Sequence, residues 1–152
     1  MNDVGALFRE LKPDVERVSS PLFDFAQQQV RKTGGFLPFG STLSPTGEVS
    51  LHAGSTGSDE ASSLDILPIL HDGLREAATA ANASALAVCE WVKIAPDGGS
   101  QTDAIKVLVE HRRGLVIALY IPCKRRLLGW RFGDMLAIPA EAEVKAWVLG
   151  AA

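Results

Sequence analysis

The stretch TDAIKVLVEHRRGLVIALYIPCKRR, residues 102–126, contains two apolar runs rich in β-branched residues, joined by a short Arg-Arg-Gly turn. Between Ile105 and Val109 the side chains alternate with a period of two, which is typical of a strand with two different faces. A turn ending in glycine between two such runs predicts an antiparallel hairpin over 104–112 and 115–123. This pattern establishes a sheet, but it indicates no chemistry.

The composition is that of an ordinary folded protein. The chain has 152 residues, of which 47% are hydrophobic and 22% are charged. A chain of this length buries enough surface to fold without a disulfide or a structural metal. We therefore predict a single globular domain over residues 1–152.

The net charge and the lack of a targeting signal limit which partners and which cellular location we expect. A formal net charge of −3 weighs against a dedicated nucleic-acid-binding domain, because such domains neutralise phosphates with a basic surface. No window approaches 18 consecutive apolar residues and no secretory signal opens the chain, so a membrane partner is not expected. Cys89 and Cys123 are far apart and are interpreted as reduced packing residues. These features together predict a cytoplasmic protein.

Helical spacing occurs at the N-terminus and again in the middle of the chain. Apolar residues from Val4 to Leu11 predict a short helix that Pro13 interrupts. Ser20-Pro21 is typical of the start of a second helix, which Gly34 would end. A third helix is expected after the polar loop 54–63, with Ser62 or Ser63 as its N-cap. Asn82 is expected to end that third helix.

Further strands are predicted on both sides of the third helix. Residues 36–43 and 48–53 flank Ser-Pro-Thr-Gly and predict a hairpin, in which Pro38 indicates either an edge strand or a position where Pro38 faces solvent. Residues 85–94 are almost entirely apolar, as expected for a central strand. Alternation over 128–132 predicts another strand. Residues 140–149 fit a helix and a strand equally well.

The predicted element order is α-α-β-β-α-β-β-β, which belongs to the α+β class. Two or three helices would pack on an antiparallel sheet. This order is similar to that of roadblock and profilin-like domains. The similarity concerns the order of elements alone and implies no function.

The motifs of several common activities are missing from the sequence. Zinc-dependent nucleobase deaminases need His-x-Glu and a PCxxC pair, whereas Asp72 follows His71 and Lys124 follows Cys123. There is no GxSxG elbow, P-loop or GxGxxG motif. The histidines, His52, His71 and His111, lack the spacing of metal ligands. We therefore predict no catalytic residue, no metal and no cofactor.

Glu90 is a candidate for acid–base chemistry. It shares strand parity with Leu86 and Val88, so its carboxylate is expected on an apolar face. A carboxylate in such a place needs a cation or hydrogen-bond donors, or it stays protonated. The alternatives are a general acid or base, a place at the edge of the sheet, and a structural ion pair with Lys106 or Arg131.

A basic cluster follows the second apolar run. It consists of Lys124, Arg125, Arg126 and Arg131. Such a group can bind phosphate or an acidic partner, although charges at strand ends are also commonly solvated. Apolar aromatic residues near it could serve as interface anchors or as core residues, namely Trp130, Phe132 and Trp147.

Three segments resemble a group of small bacterial α+β proteins of unassigned function: GGFLPFG at 34–40, TDAIKVLVEHRRG at 102–114 and PCKRR at 122–126. The resemblance spans residues 22–132. It implies a bacterial cytoplasmic protein, and it offers no catalytic residue to transfer to this chain.

Three hypotheses follow from the sequence. The leading one is a non-enzymatic protein-interaction domain of the accessory or immunity type, which acts as a homodimer or with a protein partner. The second is a module that binds a small anionic ligand through Lys124, Arg125, Arg126 and Arg131. The third is an enzyme of an unrecognised type around Glu90.

Overall fold

The computed structural model describes residues 4–54 and 61–147, which form two helices and seven strands. The elements in chain order are α1 Val4–Thr33, β1 Phe39–Leu43, β2 Val49–Ala53, α2 Ser63–Ala80, β3 Ala85–Ile94, β4 Thr102–His111, β5 Val116–Arg126, β6 Gly129–Phe132 and β7 Leu136–Pro139. The α+β class with an antiparallel sheet is confirmed. Most of the predicted loop 54–63 lies outside the described residues.

The sheet has the strand order β2-β1-β3-β4-β5-β6, and β7 also pairs with β5. The predicted hairpin is β4–β5, with Asp103 opposite Cys123 at one end and Glu110 opposite Val116 at the other. Strand β3 lies between β1 and β4, as the continuous apolar run 85–94 predicts. Strands β6 and β7 share the outer edge of β5, so that edge is divided between two short strands.

Helix α1 is one continuous helix, and the prediction of two helices separated at Pro13 was wrong. Pro13 and Pro21 both lie inside it. Each interior proline costs about 3 kcal/mol. Burying one Val, Leu or Phe side chain contributes about 1.5–3 kcal/mol, and α1 buries six of them along one stripe. Burial therefore outweighs the two breaks, and the helix ends where predicted, at Gly34 with φ +82°.

The face of the sheet that α1 covers is called the first face. Its core contains alternate residues of the four central strands β1, β3, β4 and β5, for example Leu43, Ala87, Val107 and Leu119. Ser41 of β1 donates a hydrogen bond to the Val18 carbonyl at 2.6 Å, which attaches the helix to the sheet. A row of aromatic contacts crosses this face, through Phe25, Phe39, Phe36, Trp91 and Trp130.

Helix α2 packs on the opposite, second face of the sheet. The backbone N–H and the hydroxyl of its N-cap, Ser62, donate to the Asp65 carboxylate at 3.0 and 3.1 Å. The helix buries Ile66, Leu70, Leu74 and Ala78, which recur every fourth residue along one stripe.

Gly40 of β1 lies in tight contact with α2 and with the neighbouring strand. A Cβ atom at this glycine would lie 2.6 Å from the Ala87 carbonyl oxygen and 2.9 Å from Leu74 Cδ1. The backbone oxygen cannot move away cheaply, so the close packing at this site requires glycine.

Strand β1 is central and Pro38 is buried, so both predicted alternatives, an edge strand and a solvent-facing Pro38, were wrong. Pro38 comes just before the strand begins at Phe39, so its missing N–H removes no bond from the sheet. The predicted hairpin with β2 is confirmed, and Gly47 takes the positive φ of +91° that its turn needs. The edge strand at this end of the sheet is β2, which pairs with β1 alone among the described strands.

Residues 140–147 are the described part of the segment 140–149. They form neither a helix nor a strand. Residues 141–147 cross the second face as an irregular segment with Val144 fully buried. The carboxylate of Glu110, only 2% exposed, accepts hydrogen bonds from the backbone N–H groups of Glu143, Val144 and Lys145 at 2.8–3.0 Å. This one side chain therefore supplies the hydrogen bonds that a regular element would have supplied.

Both cysteines are buried and unpaired, as predicted for packing residues. Burial raises the pKa of the Cys123 thiol to about 11 and raises that of Cys89 as well. Among the described residues, no helix is both long and apolar enough to cross a membrane.

Candidate functional site

The β5–β6 hairpin extends beyond the body of the sheet. Strand β5 pairs with β4 only as far as Cys123, and the residues after it pair with β6 alone. Lys124 lies opposite Arg131, and Arg125 lies opposite Trp130. Because side chains alternate along a strand, Lys124 and Arg131 share one face of the hairpin while Arg125 lies on the other.

The tip of this hairpin is a two-residue turn formed by Leu127 and Leu128. Their exposed fractions are 100% and 99%, so neither side chain is covered by any described residue. Gly129 follows with φ +122°, which lets the chain reverse within two residues. The sequence prediction placed Leu128 in a strand, and this was wrong, since β6 begins at Gly129.

The four predicted basic residues surround this tip. All four are exposed, and within the described ranges none makes an ion pair or a side-chain hydrogen bond: Lys124, Arg125, Arg126 and Arg131. The other basic pair, Arg112 and Arg113, lies in the turn at the opposite end of the β4–β5 hairpin. There Arg112 bonds to Asn82 at 3.1 Å and Arg113 to Glu10 at 2.7 Å. Of these two basic groups, the one at the hairpin therefore keeps its cations free of ion pairs within the described residues.

Two of the three predicted anchor aromatics hold the base of the hairpin in place. Trp130 packs edge-on against Trp91, with 5.8 Å between ring centroids. Phe132 lies under the Arg31 guanidinium, 4.9 Å from its carbon atom. Trp147 packs against the core beneath α2. All three are half-buried, so they serve mainly in packing, and the exposed apolar residues here are the two leucines.

A cavity of about 780 Å³ opens between the hairpin and the loop that joins β3 to β4. It is lined by Lys124, Arg125 and Arg126, which the sequence had singled out, but not by Arg131. Lys93 and Asp103 also line it, and they form an ion pair at 3.1 Å. With Asp97 the lining contains four cations and two carboxylates, so it carries a net positive charge.

Glu90 lies elsewhere, on the second face, and it forms the predicted ion pair with Lys106. Lys106 Nζ is 3.8 Å from Glu90 and 3.8 Å from Glu143. Burial raises the pKa of Glu90, and the charge of Lys106 opposes that rise. His71 also interacts electrostatically with Glu90, and its Nε2 atom is buried with no hydrogen-bond partner in the described structure. The pairing with Arg131 that the sequence left open does not form.

The remaining histidines are held by other partners. His52 Nε2 lies 3.0 Å from the Thr42 hydroxyl, and His111 Nε2 lies 2.9 Å from Asp14. Across the described ranges, no group of three or more His, Cys, Asp or Glu side chains could hold a metal ion. The structure thus does not bring Glu90 together with His52 or His111 as an acid–base pair.

Comparisons of the chain with models of protein families, with curated proteins and with solved structures return no match. The resemblance to small bacterial proteins and the similarity to roadblock and profilin-like domains therefore stay predictions. The case for a function rests on the geometry of the hairpin and its cavity.

Proposed function

We propose that this protein is a non-enzymatic protein-interaction domain of the accessory or immunity type, and that it binds its partner through the β5–β6 hairpin. The observation that supports this most strongly is the full exposure of Leu127 and Leu128 at the tip of the hairpin. Burying one leucine contributes about 1.5–3 kcal/mol, so a partner that covers both gains about 3–6 kcal/mol. A contiguous apolar feature framed by polar residues is typical of a binding surface.

The cations around the tip define the chemistry of the partner. Charges at the rim of an interface speed association and select partners of opposite charge. The partner is therefore a protein with an apolar pocket and an acidic rim. The concave cavity beside the hairpin suits a protruding protein segment, which a flat bilayer does not offer. Leucines at the centre of the cluster would add nothing to phosphate contacts, so a nucleic acid is disfavoured.

A photo-crosslinking residue at position 127 tests this proposal in the cells that make the protein. Leu64 is 83% exposed on α2 and provides the matched control position. We expect a discrete adduct with one protein from position 127 and none from position 64. The adduct should weaken when Arg125 and Arg126 are changed to Glu.

The affinity for the captured protein then measures how much the two leucines contribute to binding. Replacing both leucines by serine should weaken binding at least about a hundredfold, since 1.4 kcal/mol corresponds to a factor of ten. Equal adducts from positions 127 and 64 would exclude the hairpin as the binding surface. Sedimentation of the protein with anionic vesicles would also contradict the proposal, because a lipid surface would then be the partner.

The second candidate function is binding of a small anionic ligand, and the cavity favours it. Lys124, Arg125 and Arg126 line one concave space whose volume lies in the range of small-molecule sites. Arginine binds phosphate in a bidentate manner, so phosphorylated compounds are the fitting class. Arg131, the fourth predicted ligand residue, lies outside this lining and is not part of the proposed site.

Thermal unfolding in inorganic phosphate and in pyrophosphate tests the second candidate. A ligand present at a hundredfold excess over its Kd stabilises by about 2.7 kcal/mol, or roughly 8 °C for a chain of this size. We expect this shift to disappear in Arg125→Gln/Arg126→Gln and to persist in Arg9→Gln, which changes an exposed arginine on α1. No shift with either anion, or an equal shift in both variants, would remove the candidate.

A further inference from the structure

Three of the five residues of strand β2 have backbone hydrogen-bonding groups that pair with no other strand in the described part of the chain. The Ser44 N–H donates to the Glu48 carbonyl at 2.8 Å, which identifies this pair as hydrogen-bonded. Bonded and non-bonded pairs alternate along an antiparallel ladder, so Ser50 and His52 bond to β1. The N–H and C=O groups of Val49, Leu51 and Ala53 therefore point away from the sheet. In the described part of the chain no other strand pairs with them.

The side chains of these same three residues lie on the first face, beside an exposed apolar surface. Leu51 is 58% exposed, and Phe25 of α1 next to it is 44% exposed. A cavity of about 200 Å³ lies between them, with Phe39, His52 and Ala53 completing its lining. A strand added at this edge would bring its own alternate side chains over that cavity.

The edge lacks the features that normally keep sheet edges apart. Free edges are usually protected by charged side chains, proline or bulges. No charged residue or proline occurs from Val49 to Ala53. At the other end of the sheet, β6 carries Arg131 and the four-residue β7 ends in Pro139. Strand β2 is therefore the edge of the sheet at which a further strand can pair.

We propose that two copies of this chain pair through β2, antiparallel and with Leu51 opposite Leu51 of the second copy. In this register Val49 lies opposite Ala53, so each of the three outward residues exchanges both backbone bonds. Glu48 then faces Gly54, which means that no like charges meet across the two-fold axis. An isologous interface needs a self-complementary surface of this kind.

The geometry favours a second copy over a different protein strand. A two-fold axis through the Leu51 pair keeps both α1 helices on the same side of the joined sheet. Each Leu51 side chain then covers the apolar surface around Phe25 of the other copy. This inference extends the proposed interaction function, since it gives the surface for self-association and leaves the hairpin free for another partner.

Light scattering during size-exclusion chromatography tests the proposal on the intact protein. At about 50 µM we expect the molar mass of a dimer for the wild type, because association depends on concentration. Leu51→Lys places two ammonium groups opposite each other and should halve the mass. Leu64→Lys is the matched control, also at an exposed leucine, and should remain a dimer. Circular dichroism confirms that both variants are folded.

A cysteine pair tests the register. In the proposed dimer the two copies of residue 51 have Cα atoms about 5.5 Å apart, which suits a disulfide. Leu51→Cys should give a cross-linked dimer on a non-reducing gel, whereas Val49→Cys, several residues away from its own copy, should not. A wild-type monomer, or a dimer that persists in Leu51→Lys, overturns the inference. A monomer that still forms the adduct from position 127 leaves the proposed function standing.

Discussion

Replacing Glu110 by alanine is expected to destabilise the fold by about 3–5 kcal/mol, because it removes the acceptor of three backbone hydrogen bonds. Three backbone N–H groups of the segment 143–145 would lose their acceptor, and each unsatisfied buried donor costs about 1–3 kcal/mol. Urea denaturation followed by circular dichroism measures the decrease in the free energy of unfolding.

Two companion variants separate the hydrogen bonds from the loss of charge. Glu110→Gln keeps one acceptor oxygen but turns an NH₂ group toward N–H donors, so an intermediate loss is expected. Glu141→Ala removes an exposed carboxylate from the same segment and should change the stability by less than about 0.5 kcal/mol. A Glu110→Ala protein within about 1 kcal/mol of the wild type would show that the segment is held by other contacts.

Replacing Gly40 by alanine is expected to cost about 3 kcal/mol, because overpacking a tight contact forces the backbone to shift. The added methyl group would lie 2.6 Å from a backbone oxygen of the neighbouring strand and 2.9 Å from Leu74 on α2. Both layers would have to separate at the centre of the sheet. The melting temperature and the urea midpoint measure the effect.

The same substitution at Gly73 provides the control. Gly73 lies on α2, and a Cβ atom there would meet nothing within 4 Å. Alanine is a better helix former than glycine, so Gly73→Ala should stabilise the protein by about 0.5–1 kcal/mol. Opposite signs at the two positions are the expected result. Equal effects would mean that the contact between α2 and β1 is looser than the distances indicate.

The regular parts of the fold could be predicted because their signals are local. Alternation in 104–123, the Gly47 turn and the serine cap of α2 each depend on a few neighbouring residues, and the structure has all of them. Pro13 predicts a break in α1, because an interior proline removes a backbone hydrogen bond. The burial of apolar side chains outweighs this cost. That burial depends on contacts with the sheet, which the sequence does not display.

The candidate site could be predicted only in part for the same reason. The basic residues after Cys123 were visible as a charge cluster, but their cavity forms only when the loop after β3 folds beside the hairpin. Glu110 bonds to residues more than thirty positions away, which no periodicity reveals. The alternation of Leu128, Trp130 and Phe132 predicts a strand through Leu128, whereas Gly129, which can adopt positive φ, was the local signal for a turn just before it.

The burial of both thiols has a practical consequence. Nucleophilic attack needs the thiolate form, and a thiol whose pKa is near 11 is almost entirely protonated at neutral pH. The native cysteines will therefore react slowly with maleimides while the protein stays folded. A single cysteine introduced at the hairpin tip can then carry a fluorophore selectively, and no native residue has to be removed to obtain a clean label.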